Sequence, residues 1–191
     1  MFERHIKSSR AREERWLKSY YFVRTIFSAI WVALAFAIGK QAAAGVAALL
    51  VIYPAWDALA NFIDMSRSGR TGKNRTQAIN IVVSAATTVA VLLELSIGAP
   101  PILVIFGVWA IVSGLLQLAT AVRRWSDLGA QWAMILSGAQ SALAGIFFIL
   151  QSGASMPPAI FKIAGYAAVG AVYFLISAVW LHVKHARLNA I

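Results

Sequence analysis

Residues Ile102–Val122 read ILVIFGVWAIVSGLLQLATAV, 21 positions without a single charge, closed on one side by Arg123 and Arg124 and on the other by Gly98-Ala99-Pro100-Pro101. A bilayer-spanning helix needs about 20 mostly apolar residues. A Pro-Pro pair cannot continue a helix, so the stretch begins there. Five more stretches of the same kind follow from the same reading: Tyr20–Gly39, Ala42–Asp64, Gln77–Ile97, Trp132–Gln151 and Ala159–Leu181. The uncharged run from Leu128 to Phe161 is too long for one crossing, and Ser152-Gly153-Ala154-Ser155-Met156-Pro157-Pro158 divides it. Barrel strands would be about 10 residues of alternating polarity, and these runs do not alternate. The expected fold is all-α, a polytopic membrane protein of six transmembrane helices. It comprises a basic segment over 1–19, a membrane domain over 20–183 and a basic tail over 184–191. A 60% hydrophobic composition and a mean hydropathy of +0.73 agree with that class.

Charge sets the orientation. Arg4, Lys7, Arg10, Arg12, Arg15 and Lys18 precede the first span. Arg67, Arg70, Lys73 and Arg75 follow the second, Arg123 and Arg124 the fourth, and Lys184 and Arg187 the sixth. Only Lys40 and Lys162 fall opposite. The positive-inside rule then places both termini in the cytoplasm. The net charge of +10 and pI near 10.6 have this topological cause, and no nucleic-acid partner is needed to explain them. The basic loops suit anionic lipid head groups, and residues 2–18, with Phe2, Ile6, Trp16 and Leu17 among the cations, suit a helix lying on that surface or a disordered basic tail. Trp125, Trp132 and Trp180 fit an interfacial aromatic belt. With no cysteine in the chain, disulfides, iron–sulfur clusters and thiol nucleophiles are excluded.

The chain repeats itself at a period of 53–57 residues. Val51-Ile52-Tyr53-Pro54-Ala55-Trp56 aligns with Val104-Ile105-Phe106-Gly107-Val108-Trp109, and a further shift sets Tyr166 against Trp109 and Gly170 against Ser113. Three helical hairpins, each entering from and returning to the cytoplasm, account for the period. Ser137, Ser141 and Gly145 recur every fourth residue on one face of the fifth span, and Gly165 and Gly170 mark the sixth. Such faces let helices approach closely. They serve packing within one chain or a seam between copies in a homo-oligomer.

Trp132-Ala133-Met134-Ile135-Leu136-Ser137-Gly138 with Ala144-Gly145-Ile146, and Gly107-Val108-Trp109-Ala110-Ile111-Val112-Ser113-Gly114, resemble the HdeD-like family of acid-resistance membrane proteins. The resemblance covers most of residues 20–183. It implies six spans in three glycine-bearing hairpins, a bacterial inner membrane and a link to acid stress. It implies no catalytic residue and no cofactor.

The most unusual feature lies in the second span. Tyr53, Asp57, Asn61 and Asp64 are spaced i, i+4, i+8 and i+11, within about 80° of arc on one helix face. A carboxylate at mid-bilayer costs about 2.5–3.5 kcal/mol, so this face should turn toward protein or water. Counting inward from the basic ends, Ser84 lies level with Asp57 and Asn80 with Asn61. Ser113, Gln117, Ser137 and Gln140 share that half, and Arg24 is the cation within reach. The equivalent positions of the fourth span, Phe106, Ala110, Gly114 and Gln117, are mostly apolar.

Two readings stand: an Arg24–Asp57 or Arg24–Asp64 pair tying the first hairpin together, or a proton- or cation-responsive site in a cavity facing the cytoplasm. His182 and His185 have metal-compatible spacing but no third ligand, and read as interfacial. A nucleophile–base pair or metal cluster is not discernible. The expectation is a non-enzymatic membrane protein acting in stress tolerance through assembly in the membrane, or a small transporter or channel built around Asp57.

Overall fold

The computed structural model describes residues 2–67, 75–98, 101–126, 130–153 and 158–188, with side chains described from Arg12 onward and to Ala186, His185 excepted. Six helices make up the described chain: α1 (Phe2–Ile38), α2 (Ala43–Arg67), α3 (Arg75–Ile97), α4 (Ile102–Arg124), α5 (Gln131–Leu150) and α6 (Ala159–Leu188). All six are long and apolar enough to cross a bilayer, and no strand occurs among the described residues. Arg70, Lys73, the Ala99-Pro100 pair, Leu128 and the Ala154–Pro157 part of the breaker lie outside the described residues. Gly98 ends α3 with a positive φ of 74°, its N–H bonded to the Glu94 carbonyl, a left-handed stop that glycine makes without penalty.

The helices form a ring in chain order, closed by α1 against α6. The tightest pairs are α2–α3, α4–α5 and α6–α1, while the hairpin partners α1–α2 and α5–α6 touch more sparingly. The packing unit is therefore offset by one helix from the hairpin that the sequence period suggests. Glycine supplies the reason on α4–α5. A Cβ on Gly114 would stand 2.6 Å from the Gly138 carbonyl oxygen, and one on Gly107 2.8 Å from that of Gly145. Backbone meets backbone at both points, where lipid supplies no hydrophobic drive and close packing must hold the helices together.

Of the two roles open to Ser137, Ser141 and Gly145, this contact is packing within one chain. All three are buried, and Ser141 and Gly145 meet α4. Ser141 Oγ donates to the Ala110 carbonyl at 3.0 Å. By contrast Gly165 is exposed and has open space where a Cβ would stand.

The basic segment also differs from a separate surface helix. It continues into the first span as one helix, because no glycine or proline interrupts residues 2–38. Its last two turns pack inward: Leu17 and Tyr21 join a cluster with Ala121, Met134, Phe174 and Leu181. Glu14 takes a 2.6 Å ion pair from Lys184 on α6.

At the end opposite the basic loops the bundle is filled with hydrophobic side chains. Trp31, Leu49, Leu50, Val91, Phe106 and Phe148, with others from α4 and α6, form one buried cluster. α2 runs through Pro54 without ending. Proline removes one backbone donor there, and in the turn before it the Trp31 indole donates to the Leu49 carbonyl at 2.9 Å. Leu143, Leu150, Val82 and similar side chains cover the outside, the arrangement expected where the solvent is hydrocarbon.

Candidate functional site

The other half of the bundle holds a cavity of about 100 Å³ lined from all six helices. Its floor is aromatic. Tyr53 of α2, Trp109 of α4 and Tyr166 of α6 meet with ring centroids 5.8 and 6.2 Å apart. These come from the three repeated spans, and two of them, Trp109 and Tyr166, are the aligned pair. Above the floor stand two polar layers, both anchored on α2.

Asp57 centres the deep layer and is buried. Its Oδ1 accepts from Arg24 Nη2. Its Oδ2 accepts from Ser84 Oγ at 2.8 Å, Asn61 Nδ2 at 3.1 Å and Asn80 Nδ2 at 3.3 Å. Ser84 Oγ is itself aligned by the Trp109 indole at 3.0 Å. Arg24 donates its other terminal nitrogen to Tyr20 Oη at 3.0 Å and lies over the Phe174 ring at 4.4 Å. A buried ion pair offsets its desolvation only when further hydrogen bonds satisfy both ions. Here four donors converge on one carboxylate. Asn61 also donates to the Asp57 backbone carbonyl at 2.8 Å. Tyr53 stands a turn deeper, stacked against Phe27 and tilted on Trp31.

Asp64 centres the shallow layer, two helical turns away, or about 10 Å along the axis. Gln77 Nε2 reaches its Oδ2 at 2.8 Å, Arg124 Nη2 the same oxygen at 3.2 Å, and the Trp16 indole its Oδ1 at 3.1 Å. The two layers follow one plan: an α2 carboxylate, a guanidinium from another helix, and a carboxamide from α3. Two Asp and two Arg leave the layers without net charge.

Of the residues singled out by sequence, the structure brings Arg24, Asp57, Asn61, Asn80 and Ser84 into one network. Tyr53, Asp64, Ser113, Gln117, Ser137, Gln140, Ser141 and Gly170 join them around the cavity. Arg24 pairs with Asp57, and Asp64 takes Arg124 instead. Gly145 and Gly165 lie elsewhere. Gln117 Nε2 is committed to the Met134 carbonyl at 3.3 Å. Sequence reasoning missed Trp16, Tyr20, Gln77, Trp109, Arg124 and Tyr166 as site residues. Gln77 carried a signal, since Gln77, Asn80 and Ser84 run i, i+3, i+7 on one face of α3. Arg124 carried none, since its charge is accounted for by topology.

Several polar atoms here are buried without a protein partner. They include Gln77 Oε1, Asn80 Oδ1, Ser113 Oγ, Gln140 Oε1 and Arg24 Nε. No group of three His, Cys, Asp or Glu positioned to hold a metal occurs among the described residues. His182 is exposed at the end of α6, and the side chain of His185 lies outside the described residues.

Residues 81–150 match the model of a short repeat of unknown function, DUF308. The matched repeat runs from within α3 to the end of α5 and contains the whole glycine contact of α4 on α5. Comparison with curated proteins and with solved structures gave no match.

Proposed function

We propose that this chain is a non-enzymatic, multi-pass protein of a bacterial inner membrane whose cavity is a cytoplasm-facing vestibule for a small polar solute. It would be a transporter or channel closed at its outer half. One observation carries the reading: a cavity lined by all six helices, with Gln77, Asn80, Ser113 and Gln140 each keeping a buried polar atom unpartnered. Such atoms cost about 1–3 kcal/mol each when left dry, so water or solute is the natural occupant. The distribution of Lys and Arg supports termini in the cytoplasm and anionic head groups as neighbours.

The saturated Asp57 network favours a second reading, in which the polar half only holds the bundle together. The protein then serves acid or stress tolerance as a homo-oligomer, as the resemblance to HdeD-like proteins implies. Cysteine labelling separates the two, and the natural chain has no cysteine to remove. Under the vestibule reading, Ser113→Cys reacts with a hydrophilic thiol reagent applied to the cytoplasmic face, and Ile163→Cys in the apolar half reacts from neither. Ser152→Cys reacts only from outside. Silence at both Ser113→Cys and Gln140→Cys, in folded protein, sinks the vestibule.

A further inference from the structure

We propose that the cavity selects a small uncharged solute richer in hydrogen-bond donors than in acceptors, of the urea and simple-amide class. This rests on the vestibule reading and adds the chemistry of its occupant.

The orientation of two carboxamides carries the argument. An amide viewed alone can turn either way, but an ionised carboxylate accepts only. Asn80 therefore presents its NH2 to Asp57, and Gln77 its NH2 to Asp64. Their carbonyl oxygens must then point away from the carboxylates, and both are buried and unpartnered. Asn80 and Gln77 are each more than nine-tenths buried, and both line the cavity. The carboxylates thus act as anchors that turn two carbonyl oxygens away from themselves, on residues that line the cavity. Gln140, whose amide no carboxylate fixes, and Ser113 Oγ each serve in either sense. Arg24 Nε supplies one unpartnered donor.

Charge removes the other solute classes. A metal cation seeks several oxygen ligands, carboxylates prominent among them, but both Asp57 oxygens already accept hydrogen bonds, one of them from Arg24. An anion would have to displace Asp57 or Asp64 from their guanidinium partners. A monovalent amine meets two balanced Arg–Asp layers and no net attraction. A urea or primary amide fits the inventory: NH2 groups for the carbonyls and one carbonyl for Arg24 Nε. Size agrees, since a water needs about 10–15 Å³ of such space, so the cavity takes several waters or a solute of a few heavy atoms.

Acetamide is the probe, with sodium acetate and methylammonium chloride as charged counterparts of similar size. Ser113→Cys protein in liposomes is labelled from the cytoplasmic face with each present. Acetamide should slow labelling saturably, by about tenfold at ten times its half-protecting concentration. The two ions should not. Adding Gln140→Leu, which touches neither Asp pair, should raise the half-protecting concentration about tenfold, as the loss of one hydrogen bond does. Labelling that acetamide never slows, or that either ion slows as well, overturns the solute class and leaves the vestibule standing. Absence of labelling at both Ser113→Cys and Gln140→Cys removes the vestibule and the proposal with it. Should Ser113→Cys not fold, Ser137→Cys carries the same measurement.

Discussion

The two halves of this bundle are held by different forces. Toward the basic loops, Asp57 and Asp64 gather donors from α1, α3 and α4, and the cohesion is directional and electrostatic. Toward the opposite end, Trp31, Phe106, Phe148 and Ile163 fill the centre with close contact and no charge. Hydrocarbon outside the protein is as apolar as those side chains, so burying them gains dispersion and little else. A polar layer in the same surroundings has no alternative partner and is expensive to leave incomplete. The apolar half should therefore tolerate change and the polar half should not, although the polar half is the one with space in it.

The largest effect should come from Asp57→Ala. It leaves Arg24 buried without its counterion, a loss of about 3–5 kcal/mol, read by unfolding in mixed detergent micelles. Arg24→Met with Asp57→Leu should recover most of that stability, since replacing a buried pair by apolar groups is often neutral. The double variant would then fold yet lose Ser113→Cys labelling if the pair also keeps the cavity wet. Failure of the double variant to regain stability would mean that the remaining donors, Asn61, Asn80 and Ser84, depend on the carboxylate as much as Arg24 does.

Gly145→Leu comes next. Gly145 meets the Gly107 carbonyl across the α4–α5 contact, so added carbon must push two backbones apart, at about 3 kcal/mol. Gly165→Leu has open space and should leave folding unchanged. If copies associate through α6, Gly165→Leu instead lowers the oligomer fraction in native mass measurement with no change in monomer stability. Phe106→Ala tests the apolar half directly. The residue is fully buried, and in water-soluble cores such truncations cost about 3–5 kcal/mol. Lipid outside weakens the transfer part, so about 2 kcal/mol is expected by unfolding, below the Asp57→Ala loss. An equal or larger loss would reverse the ranking of the two halves.

Much of this was legible in the sequence because helical period and depth from the basic ends are simple geometry. They sufficed to level Ser84 with Asp57 and Asn80 with Asn61, and to name Arg24 as the cation within reach of Asp57 or Asp64. They did not suffice for Asp64, whose partner Arg124 is 60 residues away and indistinguishable in sequence from a topogenic charge. Nor did they reveal that α1 carries its basic segment straight into the bundle, since a row of Arg and Lys with scattered apolar residues suits a lipid surface equally well. The α5 ladder was visible, but which helix it faced was not. Small residues report close approach without naming the partner, and the matching glycines 107 and 114 on α4 acquire meaning only once the two helices are side by side.

The smallest expected effect is the most informative about the space between the layers. Ser113 lines the cavity, and its hydroxyl has no protein partner. If that hydroxyl sits dry, it is a net cost to the fold, and Ser113→Ala should stabilise the protein by about 1 kcal/mol, the penalty of one unsatisfied group. If water fills the cavity, the hydroxyl is already satisfied, and its removal exchanges one hydrated group for a methyl beside water. The net change should then be within about 0.5 kcal/mol of zero. The vestibule reading expects the second result. Unfolding of Ser113→Ala beside the natural protein decides it, and a clear gain in stability would assign the polar half to cohesion alone, as an incompletely satisfied core with no solute to receive.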